Sequence, residues 1–182
     1  SLRQPLAMIN QNLELAIWSG ESCLQEYAMH LLKLESLYRL FFENPVTKTL
    51  IQVAPALNEL SIAGKITSHP RKAGPPLDYD CLVVDAFATG HFLALIQSAY
   101  GMSQAVRFGP MGEQSKQIDQ ILRDPAQTSY YVVSLPEEMP VHEAIDLSAQ
   151  IKKHTGQQAT HIYNRTLPLD VRSDFQNAVA ES

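Results

Sequence analysis

Two cysteines in 182 residues cannot build a disulfide scaffold, and Cys23 and Cys81 stand too far apart in sequence for a metal-ligand motif. Both are expected to be reduced and buried. No run rich in Lys or Arg exists, and the 14 basic residues against 19 acidic ones leave a net charge of −5. Such a balance argues against a nucleic-acid partner. No apolar stretch approaches the roughly 20 residues that cross a bilayer. The longest are broken by Lys33, Glu35, Arg39, Glu43 or Gln97. No secretory signal pattern opens the chain. Internal repeats and low-complexity tracts are also missing. The expectation is a soluble cytoplasmic protein without a transmembrane segment.

What remains is an ordinary globular mixture, 45% hydrophobic and 18% charged, long enough for one domain with a sizeable core. The first half reads as helical. Over residues 21–42, Leu24, Tyr27, Ala28, Leu31, Leu34, Leu37, Leu40 and Phe41 recur at three-and-four spacing. Ser19-Gly20 and Asn44-Pro45 punctuate that helix. A second helix is predicted over residues 46–63, bent or interrupted at Pro55. Before Gly20, partial alternation leaves strand and helix both open. Pro70, Gly74, Pro75 and Pro76 predict a loop over residues 68–79.

The second half alternates strand and helix. Residues 81–84 and 130–133 are short continuous apolar runs of the kind buried on both faces of a sheet. Helices are predicted over residues 89–105, 113–122 and 141–153, the last stopped by Gly156, with a third strand at 159–163 and a final helix after Asp170. Repeated β–α order predicts an α/β fold with a mostly parallel sheet. One domain is expected over residues 1–182, with a helical subregion at about 20–67, a loop at 68–79 and a β/α core at 80–168.

In open α/β sheets, ligands bind at the carboxyl ends of strands. That rule selects Asp85 to His91, Leu135-Pro136-Glu137-Glu138, and Asn164-Arg165-Thr166-Leu167-Pro168. A carboxylate directly after an apolar strand suits Mg²⁺ or its waters. Thr89-Gly90 lets the chain turn into a helix whose N-terminus attracts anions. The bland alternative has Asp85 capping a turn and His91 on the surface. For Asn164 the bland alternative is a turn residue.

The run Asp85-Ala86-Phe87-Ala88-Thr89-Gly90-His91-Phe92 resembles the D-T-A-P-T-G-H-T signature of the ArsA-like family of anion-transporting, arsenical pump-driving and membrane-protein-targeting ATPases. Asp85, Thr89, Gly90 and His91 match it. Ala86, Ala88 and Phe92 depart from it. Three further stretches agree in the same order. Ala54-Pro55-Ala56-Leu57-Asn58-Glu59-Leu60 resembles A-P-G-L-x-E-L. Asp124-Pro125 through Pro136-Glu137-Glu138-Met139-Pro140-Val141 and Glu143 resembles the family's DP and PEE stretch. Ile162-Tyr163-Asn164-Arg165 resembles its V-N-[QR] strand end. The resemblance implies a P-loop NTPase-like three-layer sandwich, with ATP or ADP and Mg²⁺ as cofactors. It implies Asp85 as the catalytic, Mg²⁺-side acid, acting through water, and Thr89, Gly90 and His91 as a nucleotide switch. It implies Asn164 as the base reader, with Pro136 and Glu137 beside the nucleotide and Glu143 a solvated or packing acid.

The family's phosphate loop, G-x-x-x-x-G-K-[ST], is not in these residues. Gly64-Lys65-Ile66-Thr67 lacks the upstream glycine, and Gly109-Pro110-Met111-Gly112 with Lys116 fails the spacing. Resemblance puts the loop's strand beside residues 81–84, so that strand is expected to lack a neighbour, and the chain is expected to be a fragment inactive by itself. The cysteine-pair zinc motif that joins some family dimers is also missing from this stretch. The leading expectation is part of an ATPase that couples nucleotide state to a membrane channel or membrane-protein partner, as a homodimer when complete. The alternative is a non-catalytic interaction module that uses the helical half. A Ser or Cys hydrolase has little support without a G-x-S-x-G elbow.

Overall fold

A computed structural model describes residues 7–32, 55–73, 79–87, 89–106 and 110–166. They fall in two compact units, one ending at Thr128 and one starting at Ser129. The predicted helix beyond residue 32, its Asn44-Pro45 stop, the start of the second helix, residues 74–78 of the predicted loop and the helix after Asp170 lie outside the described residues.

The ambiguous start of the chain resolves as a hairpin. Strands β1 (Ala7–Asn10) and β2 (Leu13–Leu15) pair antiparallel, with a register shift between Met8 and Asn10. Helix α1 (Gly20–Leu32) then starts at a reciprocal cap. The Ser22 N–H donates to Ser19 Oγ and the Ser19 N–H donates to Ser22 Oγ, each at 3.2 Å. This satisfies two backbone donors where the helix cannot do so itself.

Helix α2 (Pro55–Ile66) packs on α1. Pro55 is the first described residue of α2, a place where its missing N–H is no loss. Helix α3 (Ser68–Arg71) is a single turn inside the expected loop, closed by Lys72 at φ 51°. Arg71 holds it to α2, donating from Nη2 to Gly64 O at 2.6 Å and from Nε to Thr67 Oγ1 at 3.0 Å. Burial depresses the Arg71 pKa from its usual value.

Helix α4 (Thr89–Ala105) spans the residues its periodicity predicts, and α5 (Pro110–Arg123) begins three residues earlier than expected. Both pack on each other and on α2. Leu60, Ile62, Ala63, Leu95, Ile96, Ala99, Ile118 and Leu122 form the core of this unit, with Cys23 beside them. Burial pushes the Cys23 thiol up to about 11, despite the opposing charge of Lys65. Lys65 pairs with Glu26 and lies 4.8 Å from the Trp18 ring centroid.

Two expectations in this unit need correction. Residues 81–84 form no strand, and Leu82, Val83 and Val84 are exposed, Val83 by 88%. An apolar run becomes a strand only when a neighbour completes its hydrogen-bond ladder. Among the described residues this run has no such neighbour. Cys81 is accordingly exposed, not buried.

The second unit is one β–α–β crossover. Strand β3 (Tyr131–Ser134), helix α6 (Glu138–Thr155) and strand β4 (Thr160–Tyr163) follow in order. β3 and β4 pair in parallel, Tyr131 opposite Thr160 and Ser134 opposite Tyr163. Helix α6 packs on β3. It ends where Gly156, at φ 79°, takes the left-handed conformation that closes helices and donates its N–H to Lys152 O at 2.9 Å. Tyr130, Val132, Ala144, Ile151 and Ala159 are buried. Tyr131 and Val133, on the opposite face of β3, are exposed by 63% and 60%. The 130–133 run is thus buried on one face, not both, since one helix covers one face of a strand pair.

Gly20 allows α1 to approach α2, for a Cβ built there meets Asn58 Cβ at 2.4 Å. Gly20→Ala is expected to lower stability by about 1–3 kcal/mol, as overpacking does. Thermal denaturation checks this, and an unchanged midpoint would show that α1 shifts without cost.

Candidate functional site

A parallel strand pair brings two carboxyl ends to one edge, and here Ser134 and Tyr163 are register partners. From Ser134 the chain runs through Leu135 and Pro136 into α6, with extended Glu137 preceding the helix and accepting the Val141 N–H at 3.0 Å. From Tyr163 it continues to Asn164, whose N–H donates to Ser134 O at 2.9 Å and carries the ladder one residue past β4. Between these two exits lies an open groove of about 500 Å³. It is lined by Pro136, Glu137, Glu138, Val141, His142, Tyr163 and Thr166.

The lining has a definite chemistry. Two carboxylates, an imidazole, a phenol and a hydroxyl supply its polar groups, with no Lys or Arg among them. Proline and valine supply apolar wall. His142 Nδ1 lies 2.8 Å from Glu138 O, one helical turn before it. At the same edge Ser134 Oγ is buried without a hydrogen-bond partner among the described residues. Asn164 is exposed, and its Oδ1 accepts the Arg165 N–H at 2.9 Å. Arg165 is held at φ 56°, an uncommon conformation for a residue with a side chain. Strain of this kind collects at ligand-binding edges.

Of the residues expected to act, Pro136 and Glu137 line the groove, and Asn164 sits between its lining residues Tyr163 and Thr166 in sequence. Glu143 is a solvated residue of α6. Asp85, Thr89, Gly90 and His91 belong to the first unit and are all exposed. Thr89, Gly90 and His91 form the first turn of α4, where backbone N–H groups lack intrahelical acceptors. A Cβ at Gly90 would meet nothing within 4 Å. The Phe87 and His91 rings stand edge to face, with centroids 6.2 Å apart. Among the described residues no group of three or more His, Cys, Asp or Glu is placed to hold a metal. A magnesium ion keeps several waters and needs few protein ligands, so a single carboxylate such as Asp85 suits its outer shell.

Sequence reasoning did not single out His142, and it included Tyr163 and Thr166 only within longer segments. Tyr163 was findable as the last residue of β4. The part of His142 rests on its ring bond to a carbonyl, which no spacing rule displays.

Comparisons with known proteins agree with the resemblance in the motifs. Residues 107–181 match the family model described as Anion-transporting ATPase. The chain is 29% identical over 119 residues to ATPase BagA of Mycobacterium tuberculosis, covering 64% of this chain and 34% of that protein. It is 30% identical over 123 residues to the Arsenical pump-driving ATPase of Escherichia coli, covering 66% of this chain and 20% of that protein. Its identity to the Arsenical pump-driving ATPase of Acidiphilium multivorum is 31% over 123 residues, with the same 66% and 20% coverage. The chain thus spans about a third or less of these relatives. The family match and the named relatives support an ArsA-like family for this chain.

The edge that carries the groove is anchored from beneath. Ser148 Oγ on α6 and His161 Nε2 on β4 share a 2.6 Å hydrogen bond, partly buried. Ser148→Ala is expected to cost about 1 kcal/mol. Amide hydrogen exchange should speed up in β4 while α4 and α5 stay unchanged. Uniform exchange across both units would show that this bond does not secure the edge.

Proposed function

We propose, with the ArsA-like relationship as premise, that the chain is part of an ATP-binding and ATP-hydrolysing ATPase whose adenine base enters the groove at the β3–β4 edge. The observation that supports this most is the lining itself. Glu137 and Glu138 would repel phosphates, and no cation among the lining residues offsets them. A neutral flat base with an amine donor fits, because carboxylates accept hydrogen bonds and Tyr163 and Pro136 offer flat apolar surface. Asn164 follows as the base reader, since its amide both donates and accepts.

The phosphate end falls to other residues in this reading. Asp85 acts on the Mg²⁺ side through water. The Thr89, Gly90 and His91 turn is a switch, its helix N-terminus being suited to negative charge. Mg²⁺, when bound, would neutralise charge on the phosphates. Residues 1–182 act as one partial ATPase domain of the P-loop NTPase-like sandwich. The complete protein works as a cytoplasmic homodimer that passes nucleotide state to a membrane-channel or membrane-protein partner. Among the described residues no helix is long and apolar enough to cross a membrane. The competing reading, an interaction module built on the helical half, has less support. Cys23 of α1 and Leu60, Ile62 and Ala63 of α2 are buried, although Met29 of α1 is exposed.

Titration of ATP and ADP with Mg²⁺ tests the proposal. Asn164→Ala is expected to weaken both nucleotides by about tenfold, the scale of one hydrogen bond to a ligand. In a longer protein that carries a phosphate loop, Asp85→Asn should abolish hydrolysis and leave the fold intact. Unaltered binding in Asn164→Ala, or full ATP turnover by these 182 residues alone, would contradict the assignment.

A further inference from the structure

We infer that His142 selects the base by its exocyclic group, accepting a hydrogen bond from an amine and rejecting a carbonyl at the same place. The inference rests on the base-site reading of the groove and goes beyond it, to a specificity-determining residue that the motifs do not include.

His142 Nδ1 lies 2.8 Å from Glu138 O. A backbone carbonyl can only accept, so Nδ1 is the nitrogen that carries the hydrogen. In the neutral ring, Nε2 is then a lone-pair acceptor. The bond to Glu138 O also fixes the ring, because both groups sit on the same helical turn of α6. Glu137 and Glu138 present acceptors too, but on exposed side chains with free torsions. His142 is therefore the acceptor in this groove whose tautomer and orientation are both set.

The groove thus combines a fixed acceptor with two ionised ones and no cationic donor. An incoming amine donor can satisfy His142. An incoming carbonyl oxygen would set two lone pairs against each other and leave both unpaired, and an unpaired polar group is what makes hydrogen-bonding sites selective. The ligand class is an amino-purine such as adenine. Hypoxanthine, which differs in carrying an oxo group for the amine, is the disfavoured base.

Adenosine and inosine separate these effects, since neither carries phosphate. Binding of each to the full chain is followed by shifts of backbone amide resonances at about pH 8. Adenosine is expected to bind about tenfold more tightly than inosine, the size of one well-placed hydrogen bond. In His142→Phe, which keeps a ring of similar size on an exposed position, the two should bind nearly alike. Circular dichroism confirms that the variant folds. A ratio unchanged in His142→Phe would overturn the inference and leave the base site standing. Equal affinities in the unaltered chain would do the same. Failure of both nucleosides to shift any resonance at the β3–β4 edge would overturn the inference together with the base-site reading.

Discussion

Parallel strands cannot be joined by a tight turn, and that constraint governs the second unit of this protein. The chain leaving β3 must cross back before β4 can begin, and α6 performs the crossing over 18 residues. Both strands therefore finish at the same edge, and the first turn of α6 stands there with them. The groove is a consequence of that geometry. Tyr163, at the end of the ladder, lines it together with residues of the two exits from the strands. Gly156 closes the far end of α6, so the same helix fixes both the edge and the return path.

Charge then divides the labour between parts of the sequence. An edge with two carboxylates and no lining cation is suited to a neutral base and poorly suited to phosphate. The Thr89 turn has the opposite character, because a helix N-terminus offers unpaired N–H groups to an anion. In the proposed reading the two regions would answer to different ends of a nucleotide.

Much of the fold is legible in the residues. The order of β3, α6 and β4 follows from apolar runs separated by a helical period, and Gly156 and Asp124-Pro125 mark real ends. Asp124 does so through its side chain, whose Oδ1 accepts the Ala126 N–H at 2.9 Å. Residues 81–84 mislead because an apolar run states a preference for burial and says nothing of what will bury it. Residues 130–133 mislead in a similar way, since both faces of the run are apolar while α6 covers only one. In the candidate groove, Pro136 and Glu137 are legible from motif spacing. His142 is not, because its importance depends on one ring's hydrogen bond.

The central claim is that a nucleotide base contacts the β3–β4 edge. Amide hydrogen exchange with and without ATP reads that contact residue by residue. The account predicts slower exchange over residues 135–142 and 163–166, with α1 and α2 unaffected. Protection confined to the helical unit, or none at saturating ATP, would contradict it.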